Sequence, residues 1–276
     1  MNPLDLLDKR AFAGKTVFVT GGGSGINLGI ARTFAALGAK LAICGRNAER
    51  LDGAAIGLRE LGAEVLPVVA DVRDYQALEQ AVQRTADEVG LIDVLVCGAA
   101  GNFLSRAENL SSNGFRTVIE IDLIGSFNAA RAAFAQLQQT RGSVLFISAG
   151  QSYMPHAFQV HAGAAKAGID QMMSNLALEW GRFGIRVNSI VPGPIDGTEG
   201  LARLATPAQH RTLIESIPLR RFGRVEEMGH AAAFLASPLA AYITGARLVC
   251  DGGQNLGGSG LMNMAIDTIL PAGGAQ

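Results

Sequence analysis

The chain has 276 residues, of which 49% are hydrophobic and only 17% are charged, so it can bury a large core. Its 23 basic and 24 acidic side chains give a formal net charge of -1, which argues against nucleic acid or an anionic membrane as a partner. Cys44, Cys97 and Cys250 are far apart and indicate neither a disulfide framework nor a metal site, so a reducing, cytoplasmic location is expected. Charges interrupt the first 14 residues, and no later apolar run approaches about 18 residues, so neither a signal peptide nor a membrane anchor is predicted.

Short β-branched runs recur along the chain, with helical segments between them. One such segment, Asp74 to Val89, repeats apolar residues at helical spacing behind an aspartate suited to N-capping. This alternation predicts an α/β fold: a single doubly wound Rossmann domain over residues 1–276, with a seven-stranded parallel sheet and its ligand crevice at the carboxyl ends of the strands. The predicted strands are Thr16–Thr20, Lys40–Cys44, Glu64–Val69, Asp93–Cys97, Ser143–Ser148, Arg186–Val191 and Arg247–Cys250.

A glycine-rich turn follows the first predicted strand and leads into a helical run. Glycines let the main chain approach a pyrophosphate closely, and the helix N-terminus offers unpaired N–H groups to it. A flexible turn would also be rich in glycine, but the place between strand and helix favours a dinucleotide site. The residues assigned to this site are Gly21, Gly23, Ser24, Gly25 and Ile26.

The end of the second strand indicates which nicotinamide cofactor binds. Enzymes specific for NAD usually place an acid there to hold the ribose 2′-OH, whereas this chain has Cys44-Gly45-Arg46. A guanidinium can pair with a 2′-phosphate, so NADP(H) is favoured, although Arg46 could also be a solvated surface charge. By their position after the third and fourth strands, Asp71, Val72 and Ala99 are expected beside the adenine and ribose.

Several motifs together resemble the short-chain dehydrogenase/reductase family over nearly the whole chain. They are Thr20-Gly21-xxx-Gly25, Asp71-Val72, Lys166, Asn188 and Pro192-Gly193-Pro194-Ile195. The resemblance implies that Lys166, Pro192, Gly193 and Ile195 also contact the cofactor.

The sequence departs from the family at the residues that usually carry catalysis. Members usually use Asn, Ser, Tyr and Lys, with the Tyr four residues before the Lys, but only Lys166 is retained. Ala162 stands at the Tyr position, Ala149 at the Ser position and Asp122 at the Asn position, and Asn27 replaces the third motif glycine. Without the phenol, alcohol–ketone chemistry is doubtful.

The segments around Asn102, Lys166 and Gly197 are similar to the 2,4-dienoyl-CoA reductase branch of the family, especially its peroxisomal form, where the Tyr is also absent. The resemblance implies that NADPH delivers hydride to the δ carbon of a dienoyl-CoA thioester and that Asp122 and Lys166 serve catalysis by polarising a water that protonates the α carbon. Asn102 is a candidate donor to the thioester oxygen, because a neutral amide stabilises a dienolate without repelling it.

Other residues near the strand ends are candidates for the substrate site. Phe103, Gln151 and Tyr153 are on loops that could face the substrate, and Gly197 and Thr198 lie in an irregular segment of about 192–215 that the resemblance implies is a mobile lid. Thr198 could equally cap a helix that begins at residue 199. His156 and His161 could be acids or bases, but a histidine on a packed helix is more often structural.

Two alternatives remain open from the sequence. The chain could reduce another enoyl thioester or a carbonyl, using Tyr153 or a water in place of the missing phenol, or it could be a catalytically silent NADP-binding scaffold. The family resemblance also implies a homotetramer built on the helices around Asp122 and Lys166 and on the last strand.

Overall fold

A computed structural model describes residues 8–204 and 207–259 of the chain. Within them, seven strands form one sheet in the order β3-β2-β1-β4-β5-β6-β7, and all neighbouring pairs are parallel. The predicted seven-stranded doubly wound sheet is therefore confirmed. The strands are β1 (Thr16–Thr20), β2 (Lys40–Gly45), β3 (Val65–Val69), β4 (Ile92–Cys97), β5 (Ser143–Ile147), β6 (Arg186–Pro192) and β7 (Arg247–Cys250).

Helices cover both faces of the sheet. Leu51 of α2 and Met228 of α9 belong to the apolar core on one face, together with α1; Leu78 of α3 and Met173 of α6 belong to the core on the other face, together with α5. Strands buried on both faces explain the continuous apolar runs in the sequence. The helices are α1 (Gly25–Ala36), α2 (Ala48–Arg59), α3 (Tyr75–Glu88), α4 (Ser112–Ile119), α5 (Gly125–Thr140), α6 (Val160–Trp180), α7 (Glu199–Leu204), α8 (Pro207–Ser216) and α9 (Val225–Ala236), with a π-helical turn (Glu120–Ile124) between α4 and α5.

The sheet order reverses at β1, which lies between β2 and β4. Thr20, the last residue of β1, is in register with Cys44 of β2 and Cys97 of β4, so the three strands end side by side. At such a switch point the chain connections leave in opposite directions and open a ligand crevice.

The segment expected to be an irregular lid contains two helices, which corrects that part of the sequence interpretation. The side chain of Thr198 accepts a hydrogen bond from the Leu201 N–H at 3.2 Å and so caps α7, as its alternative reading predicted. An isolated bridge between Ile195 and Gly223 ties the segment to the residues just before α9. Residues 205 and 206 lie outside the described residues, and the mobility of the segment stays a prediction. Residues 260–276 also lie outside the described part of the chain.

Gly29 allows α1 to pack closely against α9. A Cβ built on Gly29 would lie 2.6 Å from the Cβ of Val225 and 2.9 Å from its carbonyl oxygen. These distances leave no room for a side chain, so α1, which carries the glycine-rich turn at its start, is held directly on α9.

We expect Gly29→Ala to destabilise the fold by about 1–3 kcal/mol, because the added methyl group overpacks the contact between the helices. Gly53→Ala is the matched control, since a Cβ at Gly53 in α2 meets no atom within 4 Å. That substitution should stabilise α2 by about 0.5–1 kcal/mol through the lower entropy of the unfolded chain. Denaturant unfolding of both variants measures the difference, and equal effects would contradict the close α1–α9 packing.

Candidate functional site

The turn after β1 has the geometry of a phosphate cradle. Gly21 and Gly25 have φ values of 69° and 56°, which favour glycine, and a Cβ on Gly21 would lie 3.0 Å from the Cα of Ala99. Ser24 is the N-cap residue of α1, its side chain makes no capping hydrogen bond, and the first turn of the helix carries no acidic residue. The backbone N–H groups at this helix start therefore suit a pyrophosphate group.

Two arginines stand near this cradle. Arg46 follows β2 and is exposed, and no carboxylate occupies the end of that strand. Arg50, which the sequence analysis did not single out, has its Nη1 3.5 Å from the Ser24 hydroxyl and 2.9 Å from a carboxylate oxygen of Glu199 in α7. Guanidinium groups in these places are suited to a phosphate on the ribose.

Asp71 is held by a neighbouring arginine. The Arg73 side chain donates to both carboxylate oxygens, with Nη2 2.6 Å from Oδ2, and this lowers the pKa of Asp71. Arg46 adds a smaller effect in the same direction. The next residue, Val72, is buried, and its carbonyl accepts a hydrogen bond from Asn128. The loop after β3 is thus fixed, with an ionised carboxylate close enough to Arg46 to interact with it.

The loop after β4 is fixed to β1 and α1. The Thr20 hydroxyl accepts hydrogen bonds from the N–H groups of Gly98 and Ala99 at 3.0 and 3.2 Å. Asn27, which stands where the family has its third glycine, donates to the Gly98 carbonyl at 2.7 Å. The replacement of that glycine therefore adds a link between the cradle helix and the β4 loop.

Asp122 lies in the π-helical turn between α4 and α5 and is 1% exposed. Its Oδ1 accepts a hydrogen bond from the Gly101 N–H at 2.7 Å, and its Oδ2 is 3.4 Å from Nζ of Lys166. Burial raises the pKa of Asp122. Among the groups that lower this pKa, the positive charge of Lys166 has the largest effect, because it favours the ionised carboxylate. Single π-helical turns within helices are frequent at functional sites, because the extra residue changes the direction of a side chain.

Lys166 is on α6 and completes this pair. Its ammonium group donates to the carbonyl of Ile147, the last residue of β5, at 2.9 Å, and the side chain is 11% exposed. Four residues earlier on the same helix, Ala162 is buried. The structure thus brings Asp122 and Lys166 together beside a position that holds only a methyl group.

Asn102 is bound to a residue that the sequence analysis did not assign to the site. Its Nδ2 donates to Oε1 of Gln159 at 2.7 Å, and Gln151 donates to the same oxygen at 3.1 Å. Gln159 is 6% exposed and directly precedes α6. Two of the predicted site residues, Asn102 and Gln151, therefore meet at a third amide.

Phe103 and His161 lie against each other at the same place. Their ring centroids are 4.4 Å apart, Phe103 is partly exposed and His161 is fully buried. Neither ring nitrogen of His161 has a hydrogen-bond partner among the described residues. Burial lowers the pKa of His161, with Asp122 acting in the opposite direction. A neutral imidazole is therefore expected beneath the Phe103 ring.

His156 lies apart from this pair. Among the described residues, the hydrogen bond seen for its ring joins Nδ1 to the carbonyl oxygen of Met154, at 3.0 Å.

Tyr153 is at the edge of the site. Its hydroxyl interacts with Asn255, and the guanidinium of Arg247 lies 5.6 Å from its ring centroid. The preceding residue, Ser152, donates to the buried carboxylate of Asp170 at 2.6 Å. These contacts direct Tyr153 towards β7 and the segment after it.

The predicted cofactor contacts after β6 lie close to the end of β7. A Cβ on Gly193 would be 2.7 Å from the Cα of Asp251, and the Gly193 N–H donates to the Cys250 carbonyl at 3.1 Å. Ile195 is buried, and the Thr198 hydroxyl donates to its carbonyl at 2.7 Å. Gly197 has a φ of 68° with open space around it, so the chain can turn there. Pro192 ends β6.

Sequence reasoning missed Arg50 and Gln159. Arg50 lies in the first turn of α2, four residues after Arg46, so a second basic group close to the end of β2 could have been noticed from the sequence. The position of Gln159 directly before α6 carried no comparable signal, because its partners Asn102 and Gln151 come from other loops.

Over 8–204 and 207–259, no group of three or more His, Cys, Asp or Glu side chains is arranged to hold a metal ion. Within the same ranges, no helix has the length and apolar character needed to cross a membrane.

Comparison with known proteins places the chain among reductases. A family model described as enoyl-(acyl carrier protein) reductase matches residues 21–255. A peroxisomal 2,4-dienoyl-CoA reductase of Saccharomyces cerevisiae, described as (3E)-enoyl-CoA-producing, is 45% identical over 247 residues, which cover 88% of this chain and 85% of the yeast protein. The peroxisomal 2,4-dienoyl-CoA reductase of Danio rerio is 45% identical over 242 residues, covering 87% and 81%.

A solved structure gives the same fold. The gluconate 5-dehydrogenase of Burkholderia cenocepacia J2315, in complex with NADP and tartrate, superimposes with a TM-score of 0.85 at 28% identity, covering 91% of this chain and 99% of that one.

The expected cytoplasmic location is wrong by this comparison, since the yeast and Danio rerio reductases are both peroxisomal. Unpaired cysteines indicate only a compartment without disulfide formation, and they do not distinguish one reducing compartment from another.

Proposed function

The chain belongs to the short-chain dehydrogenase/reductase family, and from that premise we propose that it is an NADPH-dependent reductase of 2,4-dienoyl-CoA thioesters in the β-oxidation of unsaturated fatty acids. The product is a (3E)-enoyl-CoA, formed by hydride addition at the δ carbon and proton addition at the α carbon. The relatives at 45% identity that are described as (3E)-enoyl-CoA-producing support this choice.

The single observation that carries the proposal is the buried pair of Asp122 and Lys166, 3.4 Å apart, beside Ala162. A reaction that creates an alkoxide needs a proton donor such as the phenol that Ala162 replaces. A dienolate is protonated on carbon instead, and an ammonium–carboxylate pair can hold the water that delivers this proton. The retained pair and the missing phenol are therefore chemically consistent with each other.

The residues of the chain have distinct roles in this proposal. NADPH, when bound across the glycine cradle, supplies the hydride. The Asn102 amide donates a hydrogen bond to the thioester oxygen, where negative charge develops. Lys166 binds the cofactor ribose and, with Asp122, orients a water towards the α carbon. Phe103, Gln151, Gly197 and Thr198 border the acyl chain and the pantetheine arm.

Specificity for NADP(H) over NAD(H) is also part of the proposal. It is supported by Arg46 at the end of β2, by the absence of a carboxylate there, and by Arg50 at the cradle. The NADP complex of the Burkholderia cenocepacia relative is consistent with it.

The two alternatives have less support from the site. Reduction of a carbonyl through Tyr153 requires its hydroxyl near the substrate, but it interacts with Asn255. For a silent scaffold, a buried acid–amine pair would have no use, and its desolvation would be a cost to folding.

We expect Arg46→Ala to weaken NADPH binding about 10- to 100-fold and to leave NADH binding unchanged, because a charge-assisted hydrogen bond to phosphate contributes about 1.5–3 kcal/mol. Calorimetric titration with both nucleotides measures this difference. Arg32→Ala is the control, because it removes an exposed arginine on α1, away from the end of β2. Tighter binding of NADH than of NADPH by the unmodified protein would contradict the assignment.

Wild-type protein should oxidise NADPH in the presence of a 2,4-dienoyl-CoA, with no turnover of a ketone panel. Asp122→Asn should lower kcat by about 10²- to 10⁴-fold, the usual contribution of acid–base catalysis, while NADPH still binds. Lys166→Ala should lower both kcat and NADPH affinity, since Lys166 has two roles.

Asp87→Asn, an exposed substitution on α3, is the matched control and should leave kcat unchanged. Full turnover by Asp122→Asn would remove Asp122 from the mechanism. NADPH binding without oxidation on any enoyl thioester would instead support the silent scaffold.

We also propose a homotetramer assembled through α5, α6 and β7. Large apolar side chains are exposed on these elements: Phe127 on α5, Leu178 on α6 and Val249 on β7. Light scattering should give four times the mass of one chain, and Leu178→Glu should shift it to smaller species because it places a charge in the contact. A monomeric wild-type protein would contradict the proposal.

A further inference from the structure

Gln159 occupies a junction between the two loops that carry the predicted substrate contacts. Its Oε1 accepts one hydrogen bond from Asn102, on the loop after β4, and one from Gln151, on the loop after β5. The residue is 6% exposed and both bonds are partly buried, so the shared oxygen is largely removed from water. Hydrogen bonds in such surroundings are stronger than at the surface, and losing one leaves a buried group unsatisfied.

Two donors on one oxygen couple the orientations of the three amides, so that none of them can rotate alone without losing a hydrogen bond. If the Gln159 amide were rotated by 180°, its NH₂ group would face two other NH₂ groups, and both bonds would be lost. The same argument applies to Asn102, whose nitrogen must face Gln159. In this arrangement Gln159 holds the Asn102 amide by its nitrogen end and sets the plane in which that amide lies.

The backbone next to Gln159 is held in an uncommon conformation. Phe158 has a φ of 67°, in the left-handed region that a residue with a side chain seldom adopts. Its carbonyl accepts a hydrogen bond from the Ser105 N–H at 3.0 Å, and the guanidinium of Arg106 lies 5.5 Å from its ring centroid. The segment 102–106 is thus bound to residues 158 and 159 at both of its ends, which pins the place where α6 begins. Strain of this kind persists where the surroundings determine one geometry, as at ligand sites.

We propose that Gln159 is a positioning residue for dienoyl thioester reduction, acting through Asn102: it accepts one N–H of the Asn102 amide and so orients the other N–H towards the thioester oxygen. This inference rests on the proposed function. Gln159 does not need to touch the substrate, and its effect is confined to the step in which negative charge develops on that oxygen.

The test is a double-mutant cycle on dienoyl-CoA reduction. Loss of one oxyanion donor costs about 10²- to 10³-fold in kcat, so Asn102→Ala should lower kcat by that amount. Gln159→Ala leaves the donor present but unoriented, and should lower kcat about 10- to 100-fold with NADPH affinity unchanged. In the Asn102→Ala background, Gln159→Ala should have almost no further effect, because the group that it positions is gone.

Gln159→Glu separates positioning from a general structural role. A carboxylate still accepts from both amides, so the geometry is kept, but its negative charge opposes the developing anion. Relative to wild type at each pH, kcat of Gln159→Glu should rise as the pH falls and the new carboxyl group becomes protonated. A purely structural contribution would not give this pH dependence. Gln159→Glu also allows the inference to be tested if Gln159→Ala fails to fold.

Gln171→Ala is the matched control, because Gln171 is an exposed glutamine on the same helix that pairs with Asn175. It should keep the wild-type kcat. Equal losses from Gln159→Ala with and without Asn102, or a pH-independent Gln159→Glu to wild-type ratio, would overturn the inference while leaving the proposed function intact. A wild-type protein that binds NADPH but does not reduce dienoyl-CoA would refute the proposed function itself.

Discussion

The burial of one carboxylate is the constraint on which the site depends. Asp122 is almost entirely removed from water, and a charge in that position must be paired and hydrogen-bonded to be tolerated. The Gly101 N–H and the Lys166 ammonium meet this need from two different segments. Lys166 is in turn held by the Ile147 carbonyl at the end of β5. The π-helical turn, the loop after β4 and the start of α6 are therefore fixed relative to one another.

The loop after β4 is the common partner of nearly all the elements around the crevice. Consecutive residues of this loop form hydrogen bonds with different parts of the chain. The conformation of the loop therefore depends on these tertiary contacts more than on its own sequence. Such a loop can place a donor for the substrate precisely enough for transition-state stabilisation, since little reorganisation is left to occur. Its anchors are Thr20 from β1, Asn27 from α1, Asp122 from the π-helical turn and Gln159 from the start of α6.

The predictions from sequence succeeded where a local pattern has one structural meaning. Buried strands read as unbroken apolar runs, Asp74 caps α3 as its position indicated, and the glycine turn lies between β1 and α1. The predictions were wrong or missing where the structure of a segment depends on contacts with residues far away in the sequence. The segment of about 192–215 looks irregular because of its prolines and glycines, yet it includes α7 and most of α8, and Thr198 was recognised as the cap of α7 only as an alternative. Cellular location failed for another reason: it is not a property of packing or charge.

The fold class could be predicted from the sequence because it follows from hydrophobic periodicity, while glycine placement and motif positions predict the nucleotide cradle, the acid and the amine. How these parts meet depends on the packing of the whole chain. The 3.4 Å approach of Asp122 and Lys166, the shared oxygen of Gln159 and the contact of Asn27 with the β4 loop each join segments far apart in the chain. A hydrogen bond depends on distance and angle, and those are set by the packing of whole elements, which no local pattern encodes.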